Sequence, residues 1–279
     1  MSQSPEKNSD LLELIRTAGL DTLDGAFAYG GGEDLVKPGL GTRRRTRVEL
    51  TDPSGATRVL YLKRYGPERW SDRWKRFVTY GRCSPASVEH DNIRAAQRCG
   101  VSTMDALAFG HEMGFGGLFG VKSFLVVSSV PGDALERCGC DFLADHADDD
   151  SAKRLTTELA GQVAALHAGG LVHRDLYAAH VFLHETDDGF VLNLIDMARV
   201  FSPRWRKFRW RVKDLAQLKY SMPAEWVRDY WDEFLALYLE RCPGDAARYS
   251  REIERKTASI LRQLQRRASR KAAQGASKP

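Results

Sequence analysis

Between residues 43 and 65 the polar and apolar positions alternate with a period of two. Arg44, Thr46, Val48 and Leu50 fall on one side of the count, and Arg43, Arg45, Arg47 and Glu49 on the other. After Asp52-Pro53-Ser54-Gly55 the alternation resumes, with Val59, Tyr61, Lys63 and Tyr65 opposite Leu60 and Leu62. Period two around such a turn predicts a β-hairpin. Helical spacing precedes it over 10–20, where Asp10 caps, Leu11, Leu12, Leu14 and Ile15 form an apolar face, and Gly19 stops the helix. Residues 86–98 return to helical character and close at Gly100. Phe124 to Val130 is an apolar, β-rich run ended by Pro131-Gly132. Leu155, Leu159, Val163 and Leu166 share one helical face, which Gly169-Gly170 terminates. Two more strands, within 173–183 and 191–198, flank a turn at Asp187-Asp188-Gly189. Helix-like segments at about 213–222, 225–241 and 245–268 complete the pattern.

A strand-rich first half, a Pro-Gly hinge and a helical second half predict an α+β, bilobal fold. The expected parts are an N-terminal extension at 1–20, a first lobe at 21–130, a second lobe at 131–268, and a basic, disordered tail at 269–279 rich in Ala, Ser, Lys and Gly. A chain of 279 residues is long enough for two lobes with real cores. Its 43% hydrophobic and 10% aromatic content excludes a disordered protein. The polar start at Met1–Asp10 does not read as a secretory signal, and no run reaches the roughly 18 apolar residues of a membrane span. A soluble, cytoplasmic protein is the expectation. The five cysteines are scattered, and Cys138-Gly139-Cys140 lacks the spacing of a zinc knuckle, so reduced thiols are expected.

Charge changes this picture locally. The net charge of +5 is modest, but cations cluster with aromatics in Arg69–Phe77 and Pro203–Arg211. Such segments suit an anionic glycolipid at a membrane surface, with cations on phosphates or carboxylates and rings packed on sugars. A partly buried loop with solvated charges ranks second, and nucleic acid third.

The chemistry concentrates in HRDLYAAHVFL at 173–183 and VLNLIDMA at 191–198. Each piece delivers one aspartate, Asp175 and Asp196. The arrangement resembles that of protein kinases, where the H-R-D aspartate meets the acceptor hydroxyl and a second aspartate holds magnesium. Phosphoryl transfer needs cations on the phosphates, carboxylates on the metal, and a carboxylate at the attacking hydroxyl. Asp175 is the candidate for the last role and Asp196 for the metal. His180 stands where H-R-D-L-x-x-x-N has Asn. It takes the position of the second metal ligand, although magnesium prefers oxygen. It could instead hydrogen-bond a phosphate or Asp196, or simply pack under the loop. Lys63, in YLKRY, is the candidate grip on the α- and β-phosphates, with Glu89 on the next helix as its ion-pair partner and Asp91 a nearby alternative. Gly39 and Gly41 lack the full G-x-G-x-x-G and read as a partial phosphate-covering loop or as an ordinary turn, and Ser128 and Val130 end the strand that would meet the nucleotide. Asp214 reads as a support at the start of a helix.

Taken together, RRRTRVEL, YLKRY, VEHDNIRAAQRCGVSTMDALAFG, SFLVVSSV, HRDLYAAHVFL, LIDMARV and RWRVKDLAQLKYSM resemble the lipopolysaccharide kinase family, which phosphorylates heptose or Kdo sugars of the inner core. The resemblance runs from about 43 to 222. His180 and the missing D-F-G and A-P-E motifs fit that family better than ordinary protein kinases. Its second motif typically reads I-D-L-H-R, where this chain has Ile195-Asp196-Met197-Ala198-Arg199. The resemblance implies a kinase-like fold, ATP with Mg2+, and a sugar hydroxyl of an anionic glycolipid as acceptor. With the basic and aromatic segments, the expected place is the cytoplasm, in peripheral contact with the inner face of the cell membrane. A Ser/Thr protein kinase and a pseudokinase that binds anionic membrane or RNA are the alternatives.

Overall fold

The computed structural model describes residues 5–35, 43–52, 54–66, 68, 70–81, 84–113 and 120–276. Gly39 and Gly41 lie outside the described residues. The chain forms two compact units, one of Met1–Gln97 with Thr103–Val130, the other of Arg98–Ser102 with Pro131–Pro279.

The first unit contains α1 (Pro5–Thr17), α2 (Leu23–Ala28), β1 (Glu33–Asp34), β2 (Arg43–Thr51), β3 (Thr57–Tyr65), α3 (Trp70–Tyr80), α4 (Pro85–Arg98), β4 (Ala106–Met113) and β5 (Gly120–Ser128). Its strands make an antiparallel sheet in the order β1-β2-β3-β5-β4. The period-two pattern splits β3 between two faces. Leu60 and Leu62 pack with Val48, Phe124 and Val126 beneath Ile15, Leu20 and Ala26, so α1 belongs to this core rather than standing apart from it. The other face carries Tyr61, Lys63 and Tyr65. Ser84 starts α4 by accepting the Ser87 amide at 3.1 Å on its hydroxyl, with Pro85 in the first helical position. Arg69–Phe77, read as an interrupting basic segment, is largely helical: α3 begins at Trp70.

The second unit contains β6 (Asp133–Ala134), α5 (Leu135–Asp145), α6 (Ser151–Ala168), β7 (Val181–Thr186), β8 (Gly189–Leu194), α7 (Lys207–Ser221), α8 (Ala224–Arg241) and α9 (Ala246–Ala276). The sheet order is β6-β7-β8. Gly132, with φ of +85°, leads into β6 under such close packing that a Cβ there would sit 2.0 Å from the Leu183 carbonyl oxygen. Helix α6 is buried over Leu155, Leu159, Val163 and Leu166, and Trp226 of α8 donates from Nε1 to Thr156 Oγ1 at 3.0 Å. Helix boundaries differ from the periodicity reading in both units: α1 starts at Pro5, so Asp10 lies inside it instead of capping it. The basic and aromatic residues from Lys207 form the first turns of α7, because nothing in 207–211 breaks a helix. Asp214 therefore lies roughly two turns inside a helix, not at its start. Helix α9 continues past residue 268 to Ala276, over a stretch rich in the strong helix formers Ala, Arg, Lys and Gln.

A chain of buried polar groups ties these helices to the loop between α6 and β7. Tyr238 of α8 lies 2.9 Å from His167 Nδ1, and His167 Nε2 lies 3.3 Å from Asp214 Oδ2. The chemistry fixes the direction: the phenol donates to Nδ1, and Nε2–H donates to the carboxylate. Asp214 also accepts the backbone amides of His173, at 2.6 Å, and Arg174, at 2.8 Å. His167, Asp214 and Tyr238 are all fully buried. His173, equally buried, lies with Nε2 2.9 Å from the Ile195 carbonyl oxygen, to which Nε2–H donates.

Two outcomes follow for stability. Asp214→Ala strands two buried amides and an imidazole N–H, and should lower unfolding free energy by about 3 kcal/mol in urea titrations; a loss below about 1 kcal/mol would contradict the brace. Burial also holds the His173 imidazole below the usual histidine range. Its unfolded form therefore takes up a proton first as pH falls. The stability it contributes is full above about pH 6.5 and drains below that, toward the lower folded value. The fall in stability from pH 7.5 to 5.5 should be shallower in His173→Gln than in wild type.

Candidate functional site

In the first unit, β3 and α4 bring Lys63 and Glu89 together. Lys63 Nζ donates to Glu89 Oε1 at 2.5 Å, and Tyr65 Oη donates to Glu89 Oε2 at 2.8 Å. Lys63 and Tyr65 lie two apart on one face of β3, and Glu89 faces them from α4, one turn before buried Ile93. Glu89 is 0% exposed and Lys63 6%, so both charges depend on each other and on Tyr65. Removing one partner of such a pair costs about 3–5 kcal/mol, which fixes the ammonium in place. Burial, and then the adjacent Glu89 carboxylate, push the Tyr65 phenol far above its usual range, so it remains a donor. Asp91 turns to its neighbour His90 instead, with Asp91 Oδ1 3.1 Å from His90 Nδ1. The Ser128 hydroxyl accepts the Asp105 amide at 2.8 Å and its own amide donates to the Asp105 carbonyl at 3.0 Å, so this residue clasps the start of β4. Val130, half-buried, ends this unit.

In the second unit the two aspartates share one frame. Val172 and Phe201 exchange backbone hydrogen bonds of 3.0 and 3.1 Å, and the Ile195 amide donates to the His180 carbonyl at 2.9 Å. These bonds hold the loop at 171–180 against the segment at 195–201. Within the loop Arg174 has a φ of +72°, a conformation costly for a side-chain-bearing residue. The Asp214 carboxylate on its amide, the Lys213 ammonium on its carbonyl, and the Phe201 and Trp210 rings at 5.2 and 5.5 Å from its guanidinium hold it there.

Asp175 emerges from this bend. The Arg199 guanidinium donates through Nη1 to both of its carboxylate oxygens, at 2.8 and 2.7 Å. The Asp175 carbonyl accepts the Tyr177 amide at 3.0 Å and His180 Nδ1–H at 2.7 Å. His180 Nε2 points the other way and lies 3.8 Å from Asp196 Oδ2. With Nδ1 donating, a neutral ring presents its lone pair toward a carboxylate. A proton on the ring or a cation at Asp196 relieves that approach. His180 thus spans the backbone of one aspartate and the carboxylate of the other. Asp196 itself has a φ of +62°, one of three side-chain-bearing residues in the left-handed region among those described. Such strain gathers where a function requires it. Among the described residues no group of three or more His, Cys, Asp or Glu could hold a metal alone. Asp196 fits a hard cation that takes its other ligands from water and phosphate, as Mg2+ usually does.

Sequence reading missed Arg199 and Lys213. Arg199 follows Asp196 by three residues, and the 3-10 turn at Met197–Arg199 carries it back over Asp175. Lys213 was hidden beside Asp214 in a helix whose start was misplaced.

The comparisons with known proteins agree on one family. A model of the "Lipopolysaccharide kinase (Kdo/WaaP) family" matches residues 36–238. The lipopolysaccharide core heptose(I) kinase WaaP of Pseudomonas aeruginosa is 32% identical over 194 residues, covering 66% of this chain and 68% of that protein. The Escherichia coli protein of the same name is 30% identical over 160 residues, covering 55% of this chain and 60% of its own length. A solved structure, WaaP in complex with acyl carrier protein, superposes over 97% of this chain and 98% of its own with a TM-score of 0.57 and 25% identity. The fold is therefore kinase-like, and with the family match spanning most of its length, the chain belongs to the lipopolysaccharide kinase (Kdo/WaaP) family.

Proposed function

We propose that the protein transfers the γ-phosphoryl group of ATP to a sugar hydroxyl, heptose or Kdo, of a lipopolysaccharide core. The observation that carries this reading is the frame in which Arg199 and His180 bind Asp175 while His180 also reaches toward Asp196, in a chain of this family. Asp175 orients the acceptor hydroxyl and takes its proton as the oxygen attacks phosphorus. Arg199 fixes its carboxylate and His180 its backbone, so the accepting oxygens hold one direction. Lys63, immobilised by Glu89, keeps two of its three ammonium hydrogens for phosphate oxygens. Ser128 and Val130, at the end of the first unit, are the residues that would meet the nucleotide. Asp196 would hold Mg2+, which supplies positive charge to the phosphates. His180 acts as a positioning residue between the two aspartates; its Nε2 is the one atom that could reach the metal or a phosphate.

A membrane glycolipid acceptor agrees with α3. Trp74, Phe77 and Val78 are exposed on it at helical spacing, between Arg73, Lys75 and Arg76. Trp74 is 55% and Val78 66% exposed, large values for apolar side chains. Among the described residues no helix is long and apolar enough to cross a membrane. Peripheral contact with an anionic inner leaflet is the matching mode. Association with acyl carrier protein, which the solved relative displays, is open to this chain as well and would appear in native mass spectrometry.

Two experiments test these roles. With de-phosphorylated core lipopolysaccharide as acceptor, Asp175→Asn should lower kcat at least about 10²-fold with little change in the KM for ATP. Lys63→Met should act chiefly on the nucleotide. Near wild-type turnover in Asp175→Asn would remove the aspartate from the reaction. In flotation with vesicles containing phosphatidylglycerol, Trp74→Ser combined with Val78→Ser should cut bound protein about tenfold. Raised salt should weaken wild-type binding; unaltered flotation would clear α3 of this role.

A further inference from the structure

Helices α7 and α9 border a groove of about 910 Å³ inside the second unit. Six cations line it, Arg209, Lys213, Arg248, Arg255, Lys256 and Arg262. Among the described residues that line it Glu252 is the one carboxylate, and Arg255 already pairs with it. Phe208 and Trp210 also line the groove, and the Arg248 guanidinium lies 4.3 Å from the Phe208 ring centroid. Like charges gathered on a concave wall raise the local potential and favour an anionic occupant. The volume is that of a site for a small or oligomeric ligand, not for a folded partner. Aromatic edges among guanidinium groups match acidic sugars, whose C–H faces pack on rings while their anions take paired N–H donors.

Position decides which acidic sugar. Lys213, one wall of the groove, donates its ammonium to the Arg174 carbonyl, one residue before Asp175. The groove therefore adjoins the loop that carries Asp175. We infer that the α7–α9 groove holds the acceptor by the carboxylates or phosphates of the sugars flanking the phosphorylated one. This rests on the kinase reading above and adds the surface that selects the substrate. Neutral sugars of the same stereochemistry would bind poorly, because they leave the six cations of the lining without an anion.

The test is calorimetric binding of core oligosaccharide to the full chain without ATP, followed by turnover. Three acceptors are compared: intact, carboxyl-reduced and dephosphorylated. Arg255→Gln with Lys256→Gln should weaken binding of the intact acceptor about tenfold or more and raise its KM similarly, with the KM for ATP unaltered. Whichever treatment removes the recognised anion should weaken binding to the wild type, and the double variant should add no further loss for that acceptor. This second arm uses the unmodified protein and so does not depend on how the variant folds. Equal affinities for all three acceptors in the wild type would overturn the inference. So would a double variant that binds the intact acceptor as tightly as wild type, including one that instead loses acyl carrier protein. Tight, anion-dependent binding without any phosphoryl transfer would sustain the groove while sinking the kinase reading.

Discussion

The fold of the second unit turns on one buried carboxylate. Asp214 has no solvent contact, yet it stays hydrated in effect: three N–H donors, from His167, His173 and Arg174, replace the water it gave up. Two of those donors are backbone amides of the loop that carries Asp175. The loop could not hold Arg174 at a positive φ without them. Because Asp214 sits inside α7, the rigidity of a helix is passed directly to the backbone of a loop. Tyr238 and His167 extend the same chain to α8 and α6, so three helices share in placing one bend.

Two kinds of charge serve two purposes in this molecule. The Lys63–Glu89 pair is desolvated, short and closed by Tyr65, an arrangement that gives a fixed position rather than stability. Unlike Arg76, which is closed against Glu68, Lys75 of α3 and Arg255 of α9 are largely solvated. Their influence extends over roughly 10 Å at moderate salt, enough to gather anionic ligands but not to hold one geometry. Precision comes from the buried pair and attraction from the surface.

Much of this was legible in the chain, for a physical reason. Strand alternation put Lys63 on the face opposite Leu60 and Leu62, and the motif spacing singled out Asp175 and Asp196, because both signals are local. Asp214 was read correctly as a support for the loop but wrongly as a helix start, since the basic run ahead of it offers no capping residue by which to mark where α7 begins. Arg199 escaped notice because its partner is 24 positions away and the turn that joins them has no periodicity. The α7–α9 groove was beyond reach for a similar reason. Its cations are unremarkable along either helix and become a site only once the helices pack. Gly39 and Gly41 lie outside the described residues, and their part in nucleotide binding remains a reading of sequence.

The left-handed backbone at Asp196 also bears on how this fold can change over time. Asn, Asp and Gly enter that region at modest cost, whereas β-branched residues scarcely do. A lineage that abandons the carboxylate while keeping the turn has few exits: Asn, or Gly. Duplicated copies that drift away from catalysis should therefore carry one of those two residues at this position, leaving a readable mark of the transition long after the activity has gone.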